Sequence, residues 1–281
     1  MMNKIKVLEN LKRFSRYMIN DPVSERLRTY SEPNFFLEDN KQDKPIYRIF
    51  KLEHLLSALK NNVNVLVKPK KWEDPFENFY LKRIYQIENI NNKSAEDKIK
   101  IKEFIDYVEP YVFGQCWSFA ENSDAMWRIY SQDKRGVCVS STPRKIINSL
   151  KNNHGANHLY LSIGEVKYLT EEKIRSKKFE SIYDTSYSEW LLLYIETLLT
   201  KRKEFSHEEE VRIIFDNLPY SNGKVIDTTD MIEIPCMWHT CIDEIILDPR
   251  IDAYSEQNLT DLISNYSGKI KISKSTLYAP L

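Results

Sequence analysis

The segment Glu210-Val-Arg-Ile-Ile-Phe215 constrains the fold most tightly, because Val211, Ile213 and Phe215 alternate with Glu210 and Arg212. Alternation with period two is the pattern of a β-strand that lays one face on a core and keeps its charges on the other. Side chains two residues apart on a strand point the same way, about 7 Å apart, so Glu208, Glu210 and Arg212 form one row if the strand reaches back that far. Two carboxylates beside a guanidinium suit a catalytic face. One can oppose a developing positive charge and the other can orient or deprotonate an acceptor, while the arginine holds both. The same row on a half-exposed strand would be an ordinary solvated charge ladder, and the residues alone leave both readings open.

Short strand and helix signals are interleaved along the rest of the chain. Ile46–Phe50 reads as a strand, Leu52, Leu55, Leu56 and Leu59 repeat at helical spacing, and Val63–Val67 alternates again. Asp74-Pro75 starts a helix, Ile101 to Val108 gives another that ends at Pro110, and 111–119 is an apolar strand. Ser123 or Asp124 caps a short helix with Met126, Trp127 and Tyr130, Gly136 leads into strand 137–140, and Thr142-Pro143 opens the next helix. A strand over 159–169, a helix from Trp190 to Leu199 behind the capping box Ser186-x-x-Glu189, and strands at 231–234 and 242–247 follow. A helix through Leu259 and Leu262 and a strand at Ile270 and Ile272 close the chain. The expectation is an α+β fold with mixed or antiparallel central sheets flanked by helices. Residues 1–44, a basic helical stretch and a polar, proline-punctuated one, read as an N-terminal extension to a single domain over 45–281.

With 42% hydrophobic and 12% aromatic residues in 281, the chain has ample material for a core. Its formal net charge is zero, but residues 1–71 hold 15 Lys/Arg against 8 Asp/Glu, whereas 201–281 hold 9 against 14. The basic part could meet a polyanion; the whole chain is no general nucleic-acid binder. No apolar run approaches the roughly 20 residues that span a bilayer, and Met1 to Lys6 lacks a signal-peptide core, so a cytoplasmic protein without membrane contact is expected. Cys116, Cys138, Cys236 and Cys241 show no framework spacing and read as buried thiols without a disulfide.

Other residues offer chemistry. Arg48 can bind phosphate bidentately, and Tyr47 beside it can stack on a base. Ser118 ends a buried strand with a hydroxyl that could contact a ribose, and Trp127 and Tyr130 share a helical face that most often belongs to a core. No G-x-G-x-x-G or Walker loop is present. Cys236, His239 and Cys241 are irregularly spaced and lack an evident fourth ligand, so no metal site is assigned. Asp74, Glu165 and Lys167 faintly resemble the carboxylate–lysine core of metal-dependent nucleases, a rival reading. A non-enzymatic interaction module that docks through the charged strand and basic extension is another.

Tyr47-Arg48, Trp72-Glu-Asp-Pro-Phe-Glu77, Cys116-Trp-Ser118, Met126-Trp-x-x-Tyr130 with Gly136-Val-Cys138, Phe205-x-x-Glu208-x-Glu210-x-Arg212 and Ile242–Leu247 occur in an order that resembles bacterial domain-of-unknown-function family 2971, over roughly 45–275. Phe205 stands where that family commonly has tryptophan, and Trp117 where it has phenylalanine. The order of an early arginine, a middle serine and a late Glu-x-Glu also resembles ADP-ribosyltransferases. That second resemblance implies NAD as substrate. Arg48 would hold it, Ser118 would position the nicotinamide ribose, and Glu210 would stabilise an oxocarbenium-like transition state. Glu208 would help the acceptor, Arg212 would support the glutamates, and Tyr47, Trp127 or Tyr130 would stack. It further implies a protein or nucleic-acid acceptor and a toxin or antiviral-defence role, with an antitoxin or chaperone as partner. No Ser-Thr-Ser triplet follows the middle strand; Ser140-Ser-Thr142 lies at another strand end.

Overall fold

The computed structural model describes residues 34–72, 74, 102–106, 108–153, 161–176, 194–216 and 229–279. Its strands are β1 (Asn34–Phe36), β2 (Ile46–Phe50), β3 (Val63–Val67), β4 (Val112–Ser118), β5 (Val137–Ser141), β6 (Leu161–Glu165), β7 (Lys167–Leu169), β8 (Thr200–Arg202), β9 (Glu210–Asp216), β10 (Met231–Pro235), β11 (Glu244–Leu247) and β12 (Lys271–Lys274). Between them run helices α1 (Leu52–Asn61), α2 (Asp124–Tyr130), α3 (Pro143–Asn153), α4 (Glu171–Ser176), α5 (Trp238–Cys241) and α6 (Ala253–Ser267). The fold is mixed α+β: a ten-stranded sheet, in which β1–β6 and β11–β12 are parallel pairs and the others antiparallel, and a parallel β7–β8 ribbon.

Local chemistry sets many of these limits. Leu52, Leu55 and Leu59 bury one face of α1, and Asn62 enters the left-handed region at φ 52° to turn the chain into β3. The Ser123 side chain accepts from Met126 N–H at the start of α2, and the Asp252 side chain accepts from Ser255 N–H at the start of α6. The expected starts at Pro75 and Ser186 and the basic helix near the N-terminus lie outside the described residues. Residues 34–44, read from sequence as extension, join the fold: β1 pairs with β6, and Gln42 O accepts from Arg144 N–H at 2.9 Å.

The expected strand over 159–169 is two strands. Val166 N–H still bonds Glu210 O of β9, after which the chain leaves the large sheet, Lys167 N–H bonding Leu199 O and β7 pairing with β8. The larger correction concerns β9. It lies between β4 and β6, all seven of its residues are buried, and its charged face is not the solvated face that alternation suggests. One face joins a core with Ile46, Leu55, Phe113, Trp117 and Ile245. The other meets a second core in which Ile214 packs with Phe104, Tyr194 and Leu198.

Gly164 on β6 is the cross-strand neighbour of Arg212 in β9. A Cβ there would come within 2.4 Å of Leu199 Cδ1 and 2.8 Å of Phe36 Cβ. Gly164→Ala is therefore expected to destabilise the protein by about 1–3 kcal/mol through overpacking. Urea unfolding checks this; an unchanged midpoint would mean that Leu199 gives way freely.

Candidate active site

The ten-stranded sheet divides along one edge of β4. Its other edge pairs with β9 along the whole strand, from Val112↔Asp216 to Ser118↔Glu210. On the divided edge β3 reaches only Gly114, through Val67, and β2 only Ser118, through Tyr47. Backbone groups left between those two contacts need other partners. Arg48 supplies one, donating from Nη1 to Cys116 O, while the Gln115 side chain exchanges hydrogen bonds with Asn64 and accepts from Trp117 Nε1. Arg48 Nε is buried and has no hydrogen-bond partner among the described residues. Its guanidinium lies 5.1 Å from the centre of the Phe50 ring.

At the Ser118 end of β4 the glutamates converge, though not as a strand row. Glu210 opens β9, whereas Glu208 ends a 3-10 turn (Lys203–Glu208), and Glu209 between them is left-handed at φ 41° and ψ 50°. The two carboxylates meet because Lys201 on β8 reaches both: its Nζ donates to Glu208 Oε2 and, at 2.9 Å, to Glu210 Oε1. Arg212 holds the other oxygen of Glu210, donating from Nε at 2.6 Å and also from Nη2, while its Nη1 bonds Leu198 O at 2.6 Å. The guanidinium stacks 4.4 Å from the Trp72 ring centre. Tyr168, opposite Lys201 on the β7–β8 ribbon, accepts the Glu210 N–H at 2.8 Å.

All four charged groups are buried, Arg212 completely. Burial and a hydrogen bond with Glu210 push the Glu208 carboxyl up, against the opposing pull of Lys201. Burial alone would raise Glu210 as well, but the Arg212 charge, the Glu208 hydrogen bond and Lys201 outweigh it and hold Glu210 below the ordinary carboxylate range. The surroundings thus push the two carboxyl groups apart, Glu210 down and Glu208 up.

The structure brings together Glu208, Glu210 and Arg212, as the sequence suggests, and adds Lys201 and Tyr168, which sequence reasoning missed. Lys201 lies in the run Lys201-Arg-Lys203, whose composition gives no sign of burial. Tyr47, Ser118 and Trp127 line one pocket with Ile49, Met126 and Cys138. Burial, then the Glu121 carboxylate, pushes the Tyr47 hydroxyl up to about 12. Trp127 is 2% exposed, so most of its ring serves the core, while Tyr130 on the same helix is 43% exposed. Burial of its hydroxyl end and the charge of Glu208 raise the Tyr130 pKa. Ser118 Oγ donates to Glu208 O at 2.6 Å and accepts from Ala120 N–H at 2.9 Å, fastening the turn that carries Glu208.

The carboxylates of the nuclease reading face cations: Glu165 pairs with Lys41 at 2.6 Å and Asp74 with Arg202 at 3.1 Å. Among the described residues no group of three or more His, Cys, Asp or Glu is placed to hold a metal ion, and all four cysteines are free thiols. No helix among these residues is long and apolar enough to cross a membrane.

No curated protein matches the sequence. Among solved structures, DarT of Thermus sp. 2.9 in complex with NAD+ is similar at 10% identity and a TM-score of 0.35, over 83% of this chain and 96% of that one. The same protein in complex with ADP-ribosylated ssDNA is similar at 10% identity and a TM-score of 0.36, over 86% and 97%. Residues 126–213, from α2 through the glutamate pair to Ile213, match the model of the family described as "Protein of unknown function (DUF2971)".

Proposed function

We propose that this protein is an ADP-ribosyltransferase that consumes NAD, with Glu210 as the catalytic carboxylate and Glu208 as the group that serves the acceptor. The observation that carries the reading is the buried glutamate pair bridged by Lys201 at the Ser118 end of β4, one carboxyl held below the ordinary range and its neighbour raised above it. Breaking the glycosidic bond to nicotinamide builds positive charge on the ribose, and a pre-oriented carboxylate opposes that charge without reorganising. A second carboxyl that gains and loses its proton near neutral pH suits deprotonation of an acceptor. Nicotinamide leaves with the electrons of the broken bond, the acceptor bonds the ribose carbon, and the acceptor's proton passes to Glu208.

Arg48 fits a nucleotide on an observation of its own, since a buried guanidinium donor without a partner among the described residues is matched to a phosphate oxygen. Tyr47, the neighbour of Arg48 on β2, lines a small, mostly apolar pocket with Ser118 and Trp127. The acceptor in this reading is nucleic acid or protein, and the role is that of a toxin or defence effector acting in the cytoplasm beside an antitoxin or chaperone. The excess of Lys/Arg over residues 1–71, 15 against 8 Asp/Glu, favours a polyanionic acceptor.

Labelled NAD incubated with the protein and cell extract tests the proposal. Label is expected in nucleic acid or protein, with release of nicotinamide in equal amount. Intact NAD after prolonged incubation, with and without extract, would sink the assignment.

A further inference from the structure

Lys201 belongs to neither the carboxylates nor the nucleotide contacts just described, yet it is the cation that touches both glutamates. Lysine is among the residues least often buried, and the side chain here is only 6% exposed. Two of its three ammonium donors go to Glu208 Oε2 and Glu210 Oε1. The Phe205 ring lies 4.6 Å from the same nitrogen. The described bonds of Arg212, by contrast, reach Glu210 and the Leu198 carbonyl, so the arginine acts on one carboxylate and the lysine on the pair.

We propose that Lys201 is a positioning residue whose ammonium, bridging Glu208 and Glu210, lets the pair give up its protons at a lower pH than the two carboxylates would without it. The catalytic consequence rests on the ADP-ribosyltransferase reading; the electrostatic claim does not. The groups facing the pair are Arg212 from β9, Tyr168 from β7, Tyr130 from α2 and, more remotely, Arg48 from β2. Tyrosines stay neutral through the neutral range, so the two arginines and Lys201 supply the positive charge. Taking the ammonium away leaves two neighbouring carboxylates with Arg212 as the one cation in direct contact among the described residues, and like charges in one site favour protonation. Protons then stay on the pair to higher pH, and the ionised form needed at Glu210 is reached later.

The test is a titration of the glutamate carboxyl carbons by NMR in the wild type, Lys201→Met and Lys201→Arg, run beside the pH dependence of NAD consumption. In Lys201→Met the carboxyl titrations of the pair are expected to move up by about one pH unit or more. The acid limb of kcat moves with them, while KM for NAD changes by less than about twofold, because uniform substrate binding is untouched. Lys201→Arg, which keeps the charge, restores both. Titrations that stay in place in a folded Lys201→Met protein overturn the proposal, as does an Arg variant that shifts them as far as Met does. Should Lys201→Met fail to fold, Lys201→Gln carries the same titration, since it retains a donor and lacks the charge. A wild type that consumes no NAD refutes the reading of the activity, and the titration still decides the role of Lys201.

Discussion

Glu210→Gln should lower nicotinamide release by about 10²- to 10³-fold or more in a protein that still folds, with a lowered unfolding midpoint because buried Arg212 loses its counter-charge. Glutamine has the shape of glutamate, so its carbonyl can still accept from Arg212 Nε, and Arg212 keeps Leu198 O. What disappears is the anion that Arg212 and Lys201 maintain against the pull of burial. The amide turns its NH2 toward Lys201, which then relies on Glu208. With its charged neighbour gone and the lysine still present, Glu208 should return toward ordinary carboxylate behaviour. Chromatographic nicotinamide release and a thermal melt on the same preparations decide the matter. Loss of turnover in a folded variant supports a catalytic Glu210; turnover equal to wild type removes it from the mechanism, whatever the charge pattern suggests.

Why the sequence shows some of this site and hides the rest follows from particular residues. β2, α1 and β3 are legible because Ile46–Phe50, the Leu52–Leu59 repeat and Val63–Val67 each carry one strong period, and their limits nearly coincide with the observed ones. The strand around Val211, Ile213 and Phe215 is equally plain. Its interior position is not, because alternating charge reads as a wet face unless buried counter-charges are known. The counter-charge from outside β9 is Lys201 on β8, a three-residue strand in which Lys201 and Arg202 read as exposed charges. The break between Glu208 and Glu210 is hidden for another reason. Left-handed backbone at Glu209 is announced by neither glycine nor asparagine, so a continuous strand is the natural expectation from the sequence. The division of the sheet along β4 rests on single residue pairs, Tyr47↔Ser118 and Val67↔Gly114, which no local pattern encodes.

Arg212→Met should be the most damaging single substitution at the site for stability. The side chain is fully buried, and its loss leaves Glu210 with Lys201 as its remaining described cation and Leu198 O without its described donor. Breaking a buried ion pair from one side typically costs about 3–5 kcal/mol, a large fraction of the total stability of an ordinary domain. The loss should depend on pH in a definite direction. In the wild type Glu210 is held below the ordinary carboxylate range, so its contribution is present above the unfolded pKa of about 4.3 and fades as pH falls through the lower folded value. Without Arg212 burial dominates, the Glu210 carboxyl rises, and protonation relieves the buried charge. The stability gap between wild type and Arg212→Met should therefore be widest near neutral pH and narrow as pH falls toward and below about 4.3. The double variant Arg212→Met, Glu210→Leu removes both charges and should recover much of the loss, because a buried pair exchanged for apolar residues is often close to neutral. Denaturant unfolding of the wild type, the single variants and the double variant at neutral and acid pH measures all three effects. A gap that stays constant with pH, or a double variant that loses the sum of the single losses, would mean that Arg212 acts through packing on Trp72 rather than through the charge of Glu210.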